Sequence, residues 1–158
     1  MKYKINLKIL VFFSLILIFQ NIIVAYSQDE VLMKEKQLLL ESLGSSGSSN
    51  LFLSYLSLSL IEREVQLSED TSGLDEILQS IIKLCEIAKD NFSDIKKNII
   101  LSQQDVDFIN SIDYAYSLVK EDAILLKNYI NTLAESDQKL FKVKHKQAGD
   151  YLNDMFKE

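Results

Sequence analysis

The sequence predicts an all-α fold: an antiparallel helical bundle of four to five helices built on a long helical hairpin, residues 74–100 and 103–135. Three observations carry this. Leu74, Leu78, Ile81, Cys85, Ala88, Phe92, Ile95 and Ile99 recur at steps of three and four, and so do Ile109, Ile112, Tyr116, Val119, Ala123, Leu126, Ile130 and Leu133. Such steps place each set on one helical stripe that has to be buried. The chain has no Pro and only four Gly, too little turn punctuation for a strand-rich fold. Each stripe is flanked by further apolar residues, Ile77, Leu84 and Ile87 on one helix and Phe108, Ala115, Leu125 and Tyr129 on the other. Burial on two sides is what a bundle helix needs, and a bare hairpin would not supply it.

At 158 residues and 47% hydrophobic content the chain accommodates one domain, residues 28–158, behind a targeting segment. Residues 1–27 read as a signal peptide: Lys2, Lys4 and Lys8 precede an apolar run over 9–19, and Ala25-Tyr26-Ser27 is a small-x-small cleavage site. Cleavage near Ser27/Gln28 gives an exported protein, periplasmic or secreted, and Gln28 in place of Cys argues against lipid attachment. The alternative is an uncleaved membrane anchor, because apolar character resumes over 22–26; Gln20 and Asn21 interrupt that span and favour the signal. Removing residues 1–27 takes away three Lys and no acid, so the net charge moves from −6 to −9. A surface this acidic repels nucleic acid.

Residues 29–43 form a first short helix carrying Val31, Leu32, Leu38, Leu39 and Leu43. The run Gly44-Ser45-Ser46-Gly47-Ser48-Ser49 is expected to be a flexible joint, which would make the preceding helix an arm able to dock on a partner. Asn50 can cap a second helix over 51–67, apolar around most of its first half. Ser54 and Ser57 would return their hydroxyls to backbone carbonyls there. A polar turn over 69–73 follows, and Ser72 with Asp75 has the spacing of a capping box, as does Ser102 with Asp105. The last helix, over 137–157 and starting at Ser136, holds Lys139, Lys142, Lys144, His145 and Lys146 in a short run. In an acidic protein this is a candidate partner-binding basic patch, for an acidic protein or anionic head groups; it equally suits a solvated face that complements the negative body.

No catalytic, cofactor or metal site is expected. One His and one Cys exclude the usual zinc sites, and no Glu-x-x-His pair exists for a di-iron bundle. Gly-x-Ser-x-Gly, Gly-x-Gly-x-x-Gly and Cys-x-x-Cys-His are all missing. The pairs Glu62 with Glu64 and Asp105 with Asp107 point apart on a helix. Cys85 sits on the first stripe, where it serves as a small buried hydrophobe, or, if accessible, as one half of an intermolecular disulfide.

Leu101-Ser102-Gln103-Gln104 opening a long helix, Tyr116 within it and Ser136-Asp137-Gln138-Lys139 after it resemble the C-terminal half of helical exported (periplasmic) proteins encoded in conjugative-transfer gene clusters. The resemblance covers residues 98–143. The family's extended segment after that stretch has no counterpart here. The resemblance implies a non-enzymatic part of a transfer or secretion apparatus, with no catalytic residue to carry over. The sequence as a whole therefore leads to an exported helical interaction protein with protein partners in the envelope, no nucleic-acid partner, contact with a membrane surface through the basic run, and homo-oligomerisation through the stripes. The alternatives are a membrane-anchored ligand-sensing bundle and a self-assembling coiled-coil oligomer.

Overall fold

The computed structural model describes residues 29–67 and 71–157. Among the described residues there are four helices and no strand: α1 Asp29–Leu67, α2 Leu74–Asn98, α3 Gln103–Thr132 and α4 Glu135–Met155. The chain is all-α, as its periodicity predicts. The signal or anchor over 1–27, its cleavage site at Gln28, and Glu69 and Asp70 of the polar turn lie outside the described residues. No described helix is long and apolar enough to cross a membrane.

The described residues fall into two compact units that divide at Asn50. In the first, the expected joint over 44–49 is helical, so the two helices predicted over 29–43 and 51–67 are one continuous α1. No proline interrupts the ladder there, and the serines reinforce it. Ser46 Oγ donates to Ser42 O at 2.7 Å and Ser49 Oγ to Ser45 O at 2.8 Å, one turn back in each case. Asn50 consequently lies inside the helix and caps nothing.

In the second unit, the remainder of α1 and helices α2 to α4 alternate in direction. Lys127 reaches Asp75 at 3.1 Å and Gln79 at 3.2 Å, Lys120 meets Glu86 at 2.7 Å, and Lys89 donates to Ser117 at 2.7 Å. Rising positions in α2 thus meet falling positions in α3. The same order links α3 to α4, where Glu121 pairs with Lys144 and Tyr151 Oη donates to Ser111 O, and α1 to α4, where Glu62 pairs with Lys142 and Ser59 meets His145.

Both stripes line the interior. Leu74, Leu78, Ile81, Cys85 and Phe92 from α2 are buried, as are Ile109, Ile112, Tyr116, Val119, Ala123 and Leu126 from α3. Leu84 and Ala115 of the flanking sets are buried too, whereas Ile87 and Phe108 are exposed. Cys85 is a fully buried free thiol, and its burial pushes its pKa up to about 12. That position favours the packing role over an intermolecular disulfide. Burial likewise raises the Tyr116 phenol, followed by the neighbouring Cys85.

The helix ends show where local chemistry overrides the expected caps. Ser102 and Asp105 form the predicted box, with Asp105 N–H donating to Ser102 Oγ at 3.2 Å and Ser102 N–H to Asp105 Oδ2 at 3.2 Å. The box expected at Ser72 and Asp75 does not form. Gly73 is the N-cap, at φ 82°, because the chain turns there through the left-handed region that glycine tolerates. The hairpin between α3 and α4 is also tighter than predicted. Helix α3 ends at Thr132 rather than 135, Leu133 takes φ 52° with its N–H on Tyr129 O at 2.7 Å, and α4 starts at Glu135. No side chain caps the start of α4, and Thr132 instead ties the turn together: its Oγ1 accepts the Ala134 N–H at 3.2 Å and donates to Asp137 Oδ2 at 2.6 Å. Leu133, predicted as the last member of the second stripe, is 65% exposed because the left-handed turn swings it out of the helical register.

Candidate functional site

Two features stand out in the second unit: an internal polar relay and an outward apolar face, both involving α1. The relay joins three helices. His145 on α4 lies with Nδ1 2.5 Å from Asp122 Oδ2 on α3 and with Nε2 2.7 Å from Ser59 Oγ on α1. With Asp122 ionised, Nδ1–H donates to the carboxylate, which leaves Nε2 to accept the Ser59 hydroxyl.

Ser59 differs from six other helical serines whose hydroxyls bond back along their own helix. Ser46, Ser49, Ser57, Ser80, Ser111 and Ser117 all donate to the carbonyl four residues back. Ser59 gives its short contact to the imidazole instead. The ring is held in place by aromatic neighbours, Tyr55 stacked at 4.3 Å between centroids with planes 14° apart, and Phe141 stacked at 5.1 Å and 27°. Gly149 makes room for Tyr55. A Cβ at that position would lie 2.9 Å from Tyr55 Cζ and closer still to its hydroxyl oxygen, so only glycine lets the ring settle on His145.

Asp122 is completely buried, and among the described residues its Oδ1 has no hydrogen-bond partner. Desolvation raises its pKa, and Glu62 and Glu121 add to the rise, whereas the hydrogen bond and charge of His145 oppose it. Tyr55 is raised as well, first by burial and then by Asp122 and Asp150.

The five residues of the expected basic patch do not share one surface. Lys142 pairs with Glu62 at 3.7 Å toward α1, Lys144 with Glu121 at 3.1 Å toward α3, and His145 points inward. Lys139 and Lys146 remain outward, each paired one turn away along α4, with Glu135 at 2.8 Å and Asp150 at 3.7 Å. Each of the four lysines therefore pairs with a carboxylate of the same molecule. Among the described residues no group of three or more His, Cys, Asp and Glu side chains could hold a metal ion.

No local motif marks the relay, because Ser59, Asp122 and His145 are far apart along the chain and come together only in the bundle. One signal for it exists. Asp122 falls between Val119 and Leu126 on the second apolar stripe, where a carboxylate needs a buried partner, and His145 is the sole histidine available.

The apolar face belongs to α1. Leu51, Ser54, Leu58 and Ile61 point into the unit, while Leu53, Leu56, Leu60 and Leu67 point outward at steps of three, four and seven. Leu60 is 58% exposed and Leu67 72%. A helix apolar on both sides is what the sequence shows over 51–60, but only one side is covered. No protein-family model, curated protein or solved structure matches this chain.

Proposed function

We propose that this chain is an exported helical protein that works by contact with protein partners in the cell envelope, and that the outward leucine face of α1 is its contact surface. The carrying observation is the pairing of a covered face, Leu51, Leu58 and Ile61, with an uncovered one, Leu53, Leu56, Leu60 and Leu67, on the same helix. Apolar side chains in a continuous exposed row are costly in water and mark sites of association. The likeness of residues 98–143 to exported proteins of conjugative-transfer clusters supports placing such a partner in a transfer or secretion apparatus. The spacing of the four leucines, three, four and seven, also favours a second copy of the chain as one partner, since such steps keep them on one heptad seam.

A photo-crosslinking residue placed at Leu60 in the producing cell tests this reading. A defined adduct at position 60, absent when the same residue stands at exposed Lys83 on α2, supports it. Adducts at neither position, from a chain that is folded and exported, overturn it.

A further inference from the structure

We infer that Ser59 is a nucleophilic serine, activated by His145 and Asp122, which accepts an acyl group from short-chain esters and passes it to water. This goes beyond the contact role and does not depend on it. The hydrogen-bonded order is that of a serine triad: hydroxyl to Nε2 at 2.7 Å, Nδ1 to a buried carboxylate at 2.5 Å. Both contacts lie at or within the reach needed for proton transfer in the resting protein. Asp122 is a positioning residue, fully buried and fixing the ring's tautomer, while Ser59 is only half-buried.

Stabilisation of the oxyanion falls to a side chain. Ser59 lies in the middle of α1, where backbone N–H groups are spent on the helix ladder. Arg63 stands four residues on, over the same face one turn away, and is exposed with no ion pair among the described residues. Its guanidinium can reach an oxygen carried by an adduct at Ser59. Leu56 and Leu60 border the serine and offer an apolar rest for a short acyl chain, which sets the substrate class.

In the reaction, Ser59 Oγ bonds to the ester carbonyl carbon as its proton passes to His145 Nε2, and the carbonyl electron pair moves onto oxygen beside Arg63. Collapse breaks the bond to the leaving oxygen, which takes the proton from Nε2. Water repeats the two steps on the acyl-serine, releasing the carboxylic acid and restoring the hydroxyl. The sum is ester plus water to acid plus alcohol.

The full chain is treated with a fluorophosphonate probe and digested, and p-nitrophenyl butyrate hydrolysis is followed in parallel. The expected result is a probe adduct on Ser59, with hydrolysis lost in S59A and reduced about tenfold or more in R63Q, whose exposed position spares the fold. D122N should keep the helical signal yet shift the pH profile of hydrolysis, which a purely structural aspartate would leave unmoved. A folded wild-type chain in which the probe leaves Ser59 unmodified overturns the proposal. So does hydrolysis that persists in S59A.

Discussion

His145 holds Nδ1 2.5 Å from Asp122 Oδ2, and among the described residues this is the one hydrogen bond that a completely buried carboxylate receives, since its Oδ1 has none there. Removing either partner therefore has unequal effects. His145→Ala strands the carboxylate in the interior and should cost about 3–5 kcal/mol, whereas Asp122→Ala leaves the ring short of one acceptor and should cost about 1–3 kcal/mol. The difference should depend on pH. Asp122 has its folded pKa raised above 3.8, so in the pH interval between the unfolded and folded values the folded state holds a proton that the unfolded chain has released, and above that interval both are ionised. Stability contributed by this group is thus greatest below the ordinary value and falls as pH rises through the raised one. In His145→Ala the two influences that lower the pKa are gone, and the fall grows. Urea unfolding at about pH 4 and about pH 7 should show the His145→Ala deficit clearly larger at the higher pH. A deficit that shrinks with pH would contradict the buried-charge account.

Gly149 and Tyr55 make a second test of the same region. In an exposed helix interior Gly→Ala is worth up to about 1 kcal/mol in favour of alanine. Here the methyl would overlap the Tyr55 ring, which lies against His145. Overpacking should reverse the sign, so that Gly149→Ala destabilises by about 1–3 kcal/mol. Combining it with Tyr55→Ala should recover the alanine benefit, a coupling that a double-mutant cycle in denaturant reads directly. Independent, additive effects would mean that the two residues do not compete for space.

What the sequence reveals and what it hides divides along sequence separation. The stripes from Leu74 and from Ile109 are local repeats, and their members from Leu74 to Cys85 and from Ile109 to Leu126 are buried apart from half-exposed or exposed flanking positions. The Ser102 cap is equally local, three residues long, and it forms. The relay is not local, because Ser59, Asp122 and His145 reach one another only after α1, α3 and α4 have packed. His145, embedded among four lysines, reads in sequence as one more cation; its inward direction is fixed by its phase on α4, about a third of a turn from Lys139 and Lys146. The covering of one side of α1 is likewise a tertiary fact that a helix apolar all round does not disclose.

Leu133 violates two local preferences at once. It is a branched residue in the left-handed region at φ 52°, and its side chain is 65% exposed. Glycine is the usual residue at such a C-cap, and the left-handed conformation costs a side-chain-bearing residue roughly 1–2 kcal/mol. Leu133→Gly should therefore raise the unfolding free energy by about 1 kcal/mol, after allowance for the greater freedom of glycine in the unfolded chain. Leu133→Ala, which keeps the strain and removes only the exposed side chain, should change stability much less. Equal effects of the two would assign the gain to the apolar side chain and not to the backbone.

The run over 44–49 carries the last prediction. Its composition is that of a joint, yet it is helical, with Ser46 and Ser49 bonded back to Ser42 and Ser45. Composition still sets how firmly it is held. Two Gly at about 1 kcal/mol and four Ser at about 0.5 kcal/mol each make these six positions roughly 4 kcal/mol poorer than alanine as helix. Opening of α1 should accordingly begin there. Amide hydrogen exchange should be faster over 44–49 than over 56–62, where Leu58 and Ile61 are buried and Ser59 is tied to His145. Replacing Ser45 and Ser48 with Ala should slow exchange across 44–49 and leave 56–62 as it was, because the gain is one of local propensity. Slowing that extends equally to 56–62 would instead mean that the whole of α1 opens as one cooperative element.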